Sequence, residues 1–291
     1  MRGVKHRLSG MVIGGSALGV PGASVLHHCC FERQPGAMSI AVAIAGLRAG
    51  AMAADSRGFD LDKAEPRSVE KLRRLEDRIV AFAGVSHFDG KDFGAVLFEA
   101  VAVSRTPRQV RDNFLDSVQP EFGRAYASLQ ATIDQGLPEE LFFQAMILWR
   151  DADGLSLYLL WPIAAMSEAT IDLRWNLRLS GRGRAACEAV GQDHAIIAWT
   201  ERARLAPEGA ADRLPSIDAE LAPEDYRRLA RDLVQRCIDA SPTFGDSPLA
   251  DLVEPDVAES LRPVPLLGGP VASATIEIEG PIEDDGGSDI T

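Results

Sequence analysis

Met38-Ser39-Ile40-Ala41-Val42-Ala43-Ile44 opens the part of this chain that decides its fold. Ala53-Ala54-Asp55-Ser56-Arg57-Gly58, Lys71 and Ala81-Phe82-Ala83-Gly84 complete it. The apolar residues here are small or β-branched and come in short runs bounded by glycine and polar residues, which predicts strands. Residues 39–45 and 51–55 form a predicted hairpin around Gly46-Leu47-Arg48-Ala49-Gly50. A second is predicted from strands 71–75 and 79–84 about the polar turn Glu76-Asp77-Arg78.

Working outward, the periodicity changes. Phe93, Val96, Leu97, Ala100 and Val101 share a helical face behind Asp92, a suitable N-cap. Thr106-Pro107 reads as a cap followed by proline at the first helical position, opening a helix through Val118. Phe122, Tyr126, Leu129 and Ile133 carry a further helical stripe up to Gly136. Strands are expected again at 141–150 and 155–161, separated by Asp151-Ala152-Asp153-Gly154, a strong hairpin signal. A strand at 171–179 should break at Ser180-Gly181-Arg182-Gly183, and helices should resume at 185–200 and 223–240. Residues 271–279 predict the last strand. Blocks of strands separated by blocks of helices, without strict βαβ alternation, imply an α+β layered sandwich of antiparallel sheets covered by helices.

Composition narrows the function classes. A net charge of −13 disfavours a protein that tracks nucleic-acid phosphates. No apolar run approaches the roughly 18 residues of a membrane span. Four cysteines in 291 residues make no disulfide framework, and none is spaced as CxxC. The phosphate-binding loop, the GxSxG elbow, the HExxH zinc motif and the dinucleotide fingerprint are all missing. His87, at a predicted strand end, and His194 read as structural rather than catalytic, and no cofactor or metal is expected. His27-His28-Cys29-Cys30 are adjacent residues that converge poorly on one ion.

Charge also divides the chain. Residues 1–37 carry Arg2, Lys5, Arg7 and Arg33 against Glu32, a sum of +3 that leaves −16 for the remainder. Residues 1–37 are therefore set apart as an extension, which either precedes a true start at Met38 or is a signal-like or propeptide segment. The glycines at 14, 15 and 19 weaken its apolar stretch as a signal helix. Residues 38–280 are expected to hold the folded domain, and residues 281–291 an acidic solvated tail.

On the quoted motifs, 38–84 resembles the proteasome β-subunit and its simpler bacterial relatives, the N-terminal nucleophile hydrolases. In that family a nucleophile opens the first strand, Ala-Ala-Asp-Ser-Arg ends the second, a Lys opens the third and Ala-Gly closes the fourth. Ser39 precedes Asp55 by 16 residues and Lys71 by 32, offsets that match the family layout. The resemblance implies a four-layer αββα sandwich and a peptidase acting on peptides or unfolded protein. It also implies a homo-oligomeric ring in the cytoplasm, and it leaves open an ATP-dependent unfoldase as partner. Nucleic acid and membrane are not expected among the partners.

The chemistry of these residue types is coherent. A hydroxyl nucleophile needs a base, and an α-amine with a pKa of about 7.7–8.0 is poised near neutrality. An N-terminal Ser39 would supply both groups from one residue. A cationic Lys71 would favour the neutral amine, Asp55 would orient Lys71, and the Gly84 N–H would serve the oxyanion. The resemblance adds Ser180, from the family's Gly-Ser-Gly motif, and Asp239, from its Asp-Ala-x-Ser-Gly-Gly motif, as a supporting shell. It also places Phe82 against a shallow apolar specificity pocket. Departures are Ser in place of Thr, Met38 in place of Gly before the scissile bond, and no Ser-Gly-Gly after Asp239, where a Pro-rich insertion over 243–270 intervenes. The alternative for Asp55 and Lys71 is a structural ion pair under a β-sheet. Two other functions stay open: an inactive structural ring subunit, and an amide hydrolase of small substrates.

Overall fold

The computed structural model describes residues 39–60, 63–84, 86–88, 90–132, 143–151, 154–167, 170–182, 186–191 and 221–278. The proposed extension at 1–37, the His27–Cys30 run, His194 and the tail at 281–291 lie outside them.

The first hairpin forms as β1 (Ile40–Ala45) and β2 (Ala49–Ala54), every residue of both buried. A strand alternates its side chains between two faces, so a wholly apolar strand must be covered on both. Ala41, Ala43 and Ala45 of β1 point into one core, whereas Ile40, Val42 and Ile44 point into another. The small face meets a second sheet and the branched face meets a helix.

That second sheet starts with the second predicted hairpin, β5 (Leu72–Arg74) and β6 (Arg78–Ala83), after a short β3 (Arg57–Asp60) and β4 (Glu65–Ser68) hairpin. It grows by β9 (Gln144–Asp151), β10 (Gly154–Ser167) and β11 (Thr170–Arg182) into the antiparallel order β11-β10-β9-β6-β5. Another short pair, β7 (His87–Phe88) and β8 (Lys91–Asp92), leads into the helices. The first sheet has the order β12-β1-β2-β13, with β12 (Ala186–Gly191) and β13 (Ala272–Glu277) at its edges.

Helix α1 (Phe93–Val103) begins where Asp92 accepts the Ala95 N–H at 2.9 Å, as the cap signal predicts. Helix α2 (Pro107–Thr132) follows, and both cover the second sheet through Leu97, Val101, Val110, Phe114 and Val118. Helix α3 (Pro223–Asp239) covers the first sheet with Tyr226, Ala230, Leu233 and Val234. Ile79, Ala81, Met146 and Leu148 meet the alanine face of β1 between the sheets. The architecture is therefore the expected four-layer αββα sandwich. Each buried large apolar side chain, such as Phe82 or Phe114, adds about 1.5–3 kcal/mol of transfer free energy.

One expectation changes. The helix expected at 185–200 begins instead as strand β12, which pairs with β1 from Ala45↔Ala186 to Ile40↔Gly191. Local alanines favour a helix there, but β1 would otherwise leave a buried row of backbone groups unpaired. Among the described residues, the helical stripes before and after Val118 belong to one helix, α2, which runs through Pro120; Ile133 to Gly136 lie outside them.

The expected insertion at 243–270 is also structured. It contains 3-10 turns at Phe244–Asp246 and Pro248–Leu252, helix α4 (Pro255–Leu261), and a small core of Phe244, Leu249, Leu261 and Leu266. It leaves and returns at one point, where Leu266 N–H donates to the Pro242 carbonyl at 2.9 Å and Leu267 N–H to the Ser241 hydroxyl at 2.8 Å. No helix among the described residues is long and apolar enough to cross a membrane.

Candidate active site

Asp55 follows the last residue of β2 and meets the start of β1 across the hairpin. Its N–H donates to the Ile40 carbonyl at 3.2 Å, and its Oδ1 accepts the Ile40 N–H at 3.0 Å. Asp55 therefore holds the residue next to Ser39 on both sides, its carbonyl through the Asp55 backbone N–H and its N–H through the Asp55 side chain. Oδ1 also accepts from Lys71 Nζ at 2.9 Å, while Oδ2 accepts from the Arg57 N–H at 3.2 Å and the Gly268 N–H at 3.4 Å.

Lys71 comes from the other sheet, one residue before β5. Its carbonyl accepts the Phe82 N–H at 3.0 Å, and its Nζ also donates to the Arg57 carbonyl. The ion pair thus ties the two sheets together at the end where β1 begins. Both partners are buried, with Asp55 0% and Lys71 3% exposed. Burial favours the neutral amine and pulls the Lys71 pKa below the ordinary lysine value. The attraction and hydrogen bond of Asp55 oppose that shift, and the nearby Arg57 charge adds to it.

Ser39 itself is buried, 2% exposed. Gly191, opposite Ile40, has φ +90°, and a Cβ there would sit 2.0 Å from the Ser39 carbonyl oxygen and 2.9 Å from the Ala83 Cβ. Only glycine fits this close approach. It also shows that the start of β1 and the end of β6 converge on Gly191. Gly84 follows Ala83 with φ +92°, a conformation disfavoured for other residues.

Four of the six sequence-predicted residues, Ser39, Asp55, Lys71 and Gly84, thus gather where the two sheets meet. Two do not. Ser180 lies in β11, on the opposite edge of its sheet from β5, beside an irregularity in its pairing with β10. The strand expected to break at Ser180 continues to Arg182 because β10 goes on pairing with it.

Asp239 is exposed at the end of α3 and accepts from Gln235 Nε2 at 2.8 Å on its own helix. Gly268, 29 residues further along, reaches the Asp55 carboxylate instead. The insertion rejoins the chain just before Gly268-Gly269. A glycine pair ahead of the last strand was the available signal for it, and a lone glycine ending Ala-Val-Gly the signal for Gly191. Phe82 is 1% exposed and stacked on Phe143 at 5.1 Å, so its ring belongs to the core. Among the described residues, no group of three or more His, Cys, Asp or Glu could hold a metal ion.

No protein-family model matches the chain. No curated protein matches it either. Among solved structures it is similar to Anbu (ancestral beta-subunit) from Yersinia bercovieri, at 11% identity and a TM-score of 0.46 over 82% of each chain. It is similar also to an Anbu (Gly-1) mutant from Hyphomicrobium sp. strain MC1, at 11% identity and a TM-score of 0.45 over 82% of this chain and 81% of that one.

Proposed function

We propose that this chain is a proteasome-like peptidase whose nucleophile is Ser39, freed by cleavage of the Met38–Ser39 bond. The observation that carries this reading is the buried Asp55–Lys71 pair, whose shared carboxylate oxygen also holds the N–H of Ile40, the residue after Ser39. While Met38 is attached, the Ser39 nitrogen is an amide and cannot act as a base. Once freed it is an amine able to accept the hydroxyl proton near neutral pH.

Ser39 Oγ then attacks the carbonyl carbon of a peptide bond and passes its proton to the amine. The Gly84 N–H donates to the resulting oxyanion. Collapse breaks the C–N bond, the leaving amine takes the proton from the Ser39 ammonium, and an ester to Ser39 remains. Water, deprotonated by the same amine, hydrolyses that ester and restores the hydroxyl. Lys71 and Asp55 are positioning and electrostatic residues, since the structure gives them contacts to the backbone of β1 and its neighbours. The expected assembly is a ring of identical subunits in the cytoplasm.

The test is the intact mass of natively expressed protein before and after treatment with a peptide epoxyketone. This electrophile closes its ring only on a hydroxyl with a free amine on the same residue. A chain beginning at Ser39 that gains one adduct there is expected. A chain retaining residue 38 without an adduct would overturn the proposal. It would favour a non-catalytic ring subunit, the alternative that Met38 in place of Gly supports.

A further inference from the structure

β3 stands apart from both main sheets. Among the described residues it pairs only with β4, so no ladder of either main sheet sets where it lies against the candidate site. Its position matters because it begins at Arg57. The Arg57 carbonyl accepts from Lys71 Nζ, and the Arg57 N–H donates to Asp55 Oδ2 at 3.2 Å. Any displacement of β3 therefore pulls on both charges of the buried pair.

The inserted segment grips this strand at two points. At Arg57, Nη1 donates to the Pro265 carbonyl at 2.9 Å. The Ser56 and Arg57 N–H groups both reach the Gly268 carbonyl, at 3.2 and 3.0 Å. The guanidinium lies so close to Gly268 that a Cβ there would come within 2.7 Å of its Cζ. Two residues on, the Phe59 ring lies 5.2 Å from that of Phe244 and packs against the small core of the insertion. The β4 side adds a tie of its own, from the Val69 N–H to the Ser56 carbonyl at 2.7 Å.

The segment is also braced internally. Phe244 is fully buried, its N–H donates to the Val264 carbonyl at 2.7 Å, and the Gly245 N–H donates to the Arg262 carbonyl at 3.2 Å. Thr243 and Asp246 form a capping box, and Thr243 bridges to Pro265. Its two ends already meet through the bond from Leu266 to Pro242, so a few residues would suffice merely to connect α3 with β13. A long excursion with its own core and cross-bonds calls for a role of its own.

We propose that residues 243–266 are a positioning module for the candidate site, which seats β3 so that the Arg57 backbone meets Lys71 and Asp55, an inference that rests on the peptidase reading. Phe244 and Arg57 are its positioning residues and act through that buried pair.

The experiment compares natively purified parental protein with Phe244→Ala, Phe244→Leu, Arg57→Ala and Arg57→Lys. Three quantities are measured: kcat and KM on a fluorogenic peptide, exchange of the Lys71 Nζ protons with water by nitrogen NMR, and urea unfolding. Val110→Ala, a truncation in the core under α2, controls for lost packing alone and should keep the parental kcat. Both alanine variants of the module should lower kcat about ten- to hundredfold with KM little changed, the cost of an ångström-scale misplacement. Their Lys71 protons should exchange about tenfold faster or more, because local opening becomes easier. Phe244→Leu, which still fills the core, should restore most of kcat, and Arg57→Lys, which can still donate to Pro265, part of it. Where Phe244→Ala does not fold, Arg57→Ala carries the test, since that side chain is only half-buried. Variants that lose urea stability yet keep the parental kcat and Lys71 exchange would overturn the module and leave the peptidase reading standing. Faster Lys71 exchange in the alanine variants of a parental protein that hydrolyses no peptide would support the module and sink the peptidase reading.

Discussion

Replacing Asp55 by alanine removes one carboxylate that serves Lys71 at 2.9 Å and the N–H groups of Ile40, Arg57 and Gly268 at 3.0, 3.2 and 3.4 Å. Losing one partner of a buried ion pair costs about 3–5 kcal/mol, because the other charge is left without compensation. Each buried N–H left without an acceptor adds about 1–3 kcal/mol. With Ile40 alone fully orphaned, the total is at least about 4 kcal/mol, close to the whole stability of a marginal domain. Lys71→Ala should cost less, about 3 kcal/mol, because the carboxylate keeps its backbone donors. The double variant Asp55→Ala/Lys71→Ala should recover about 2 kcal/mol or more relative to Asp55→Ala, since no ammonium is then stranded. The assay is urea unfolding followed by tryptophan fluorescence at one fixed protein concentration, because assembly adds stability by mass action. Single-variant losses that simply add in the double variant would refute the coupling inferred from this geometry. An Asp55→Ala protein no less stable than Lys71→Ala would refute it as well. Folded Lys71→Ala is expected to hydrolyse no peptide, and a parental rate would remove Lys71 from the mechanism.

Gly191→Ala should lower stability by at least about 2 kcal/mol, since it forces an L-residue to φ +90° and drives a Cβ to 2.0 Å from the Ser39 carbonyl oxygen. An unchanged melting temperature would contradict the close approach of β12 to Ser39. Lys71 should titrate below the ordinary value of about 10.4 when its Nζ is followed by nitrogen NMR, and titration at or above that value would show that burial does not dominate. The sign follows from linkage. A folded pKa below the unfolded one means that the unfolded chain holds the proton more tightly. This group's contribution to stability is therefore least favourable below the folded pKa and improves as pH rises towards about 10.4. Ser241→Ala leaves the Leu267 N–H without its acceptor at 2.8 Å and should cost about 1–2 kcal/mol with a measurable fall in peptide hydrolysis, because Gly268 is the next residue. Unaltered unfolding and hydrolysis would mean that the rejoined chain ends do not depend on that hydroxyl.

Local sequence was enough to place the two hairpins that carry Ser39, Asp55 and Lys71, because short apolar runs bounded by glycine or polar turns are local properties. It determined the cap of α1 at Asp92 and the apolar face of α3 for the same reason. The α+β class followed from the order of those elements. Tertiary structure decided what local preference could not. Ala186–Gly191 is a strand because β1 has an open edge, and no feature within the segment records that edge. Resemblance alone pointed to Ser180 and Asp239, and distance along the chain fails as a guide where a strand runs on or an insertion intervenes. The fold instead brings Gly191 to Ser39 and Gly268 to Asp55, 152 and 213 residues away, since backbone N–H groups and the absence of a Cβ can be supplied from any segment that passes close by.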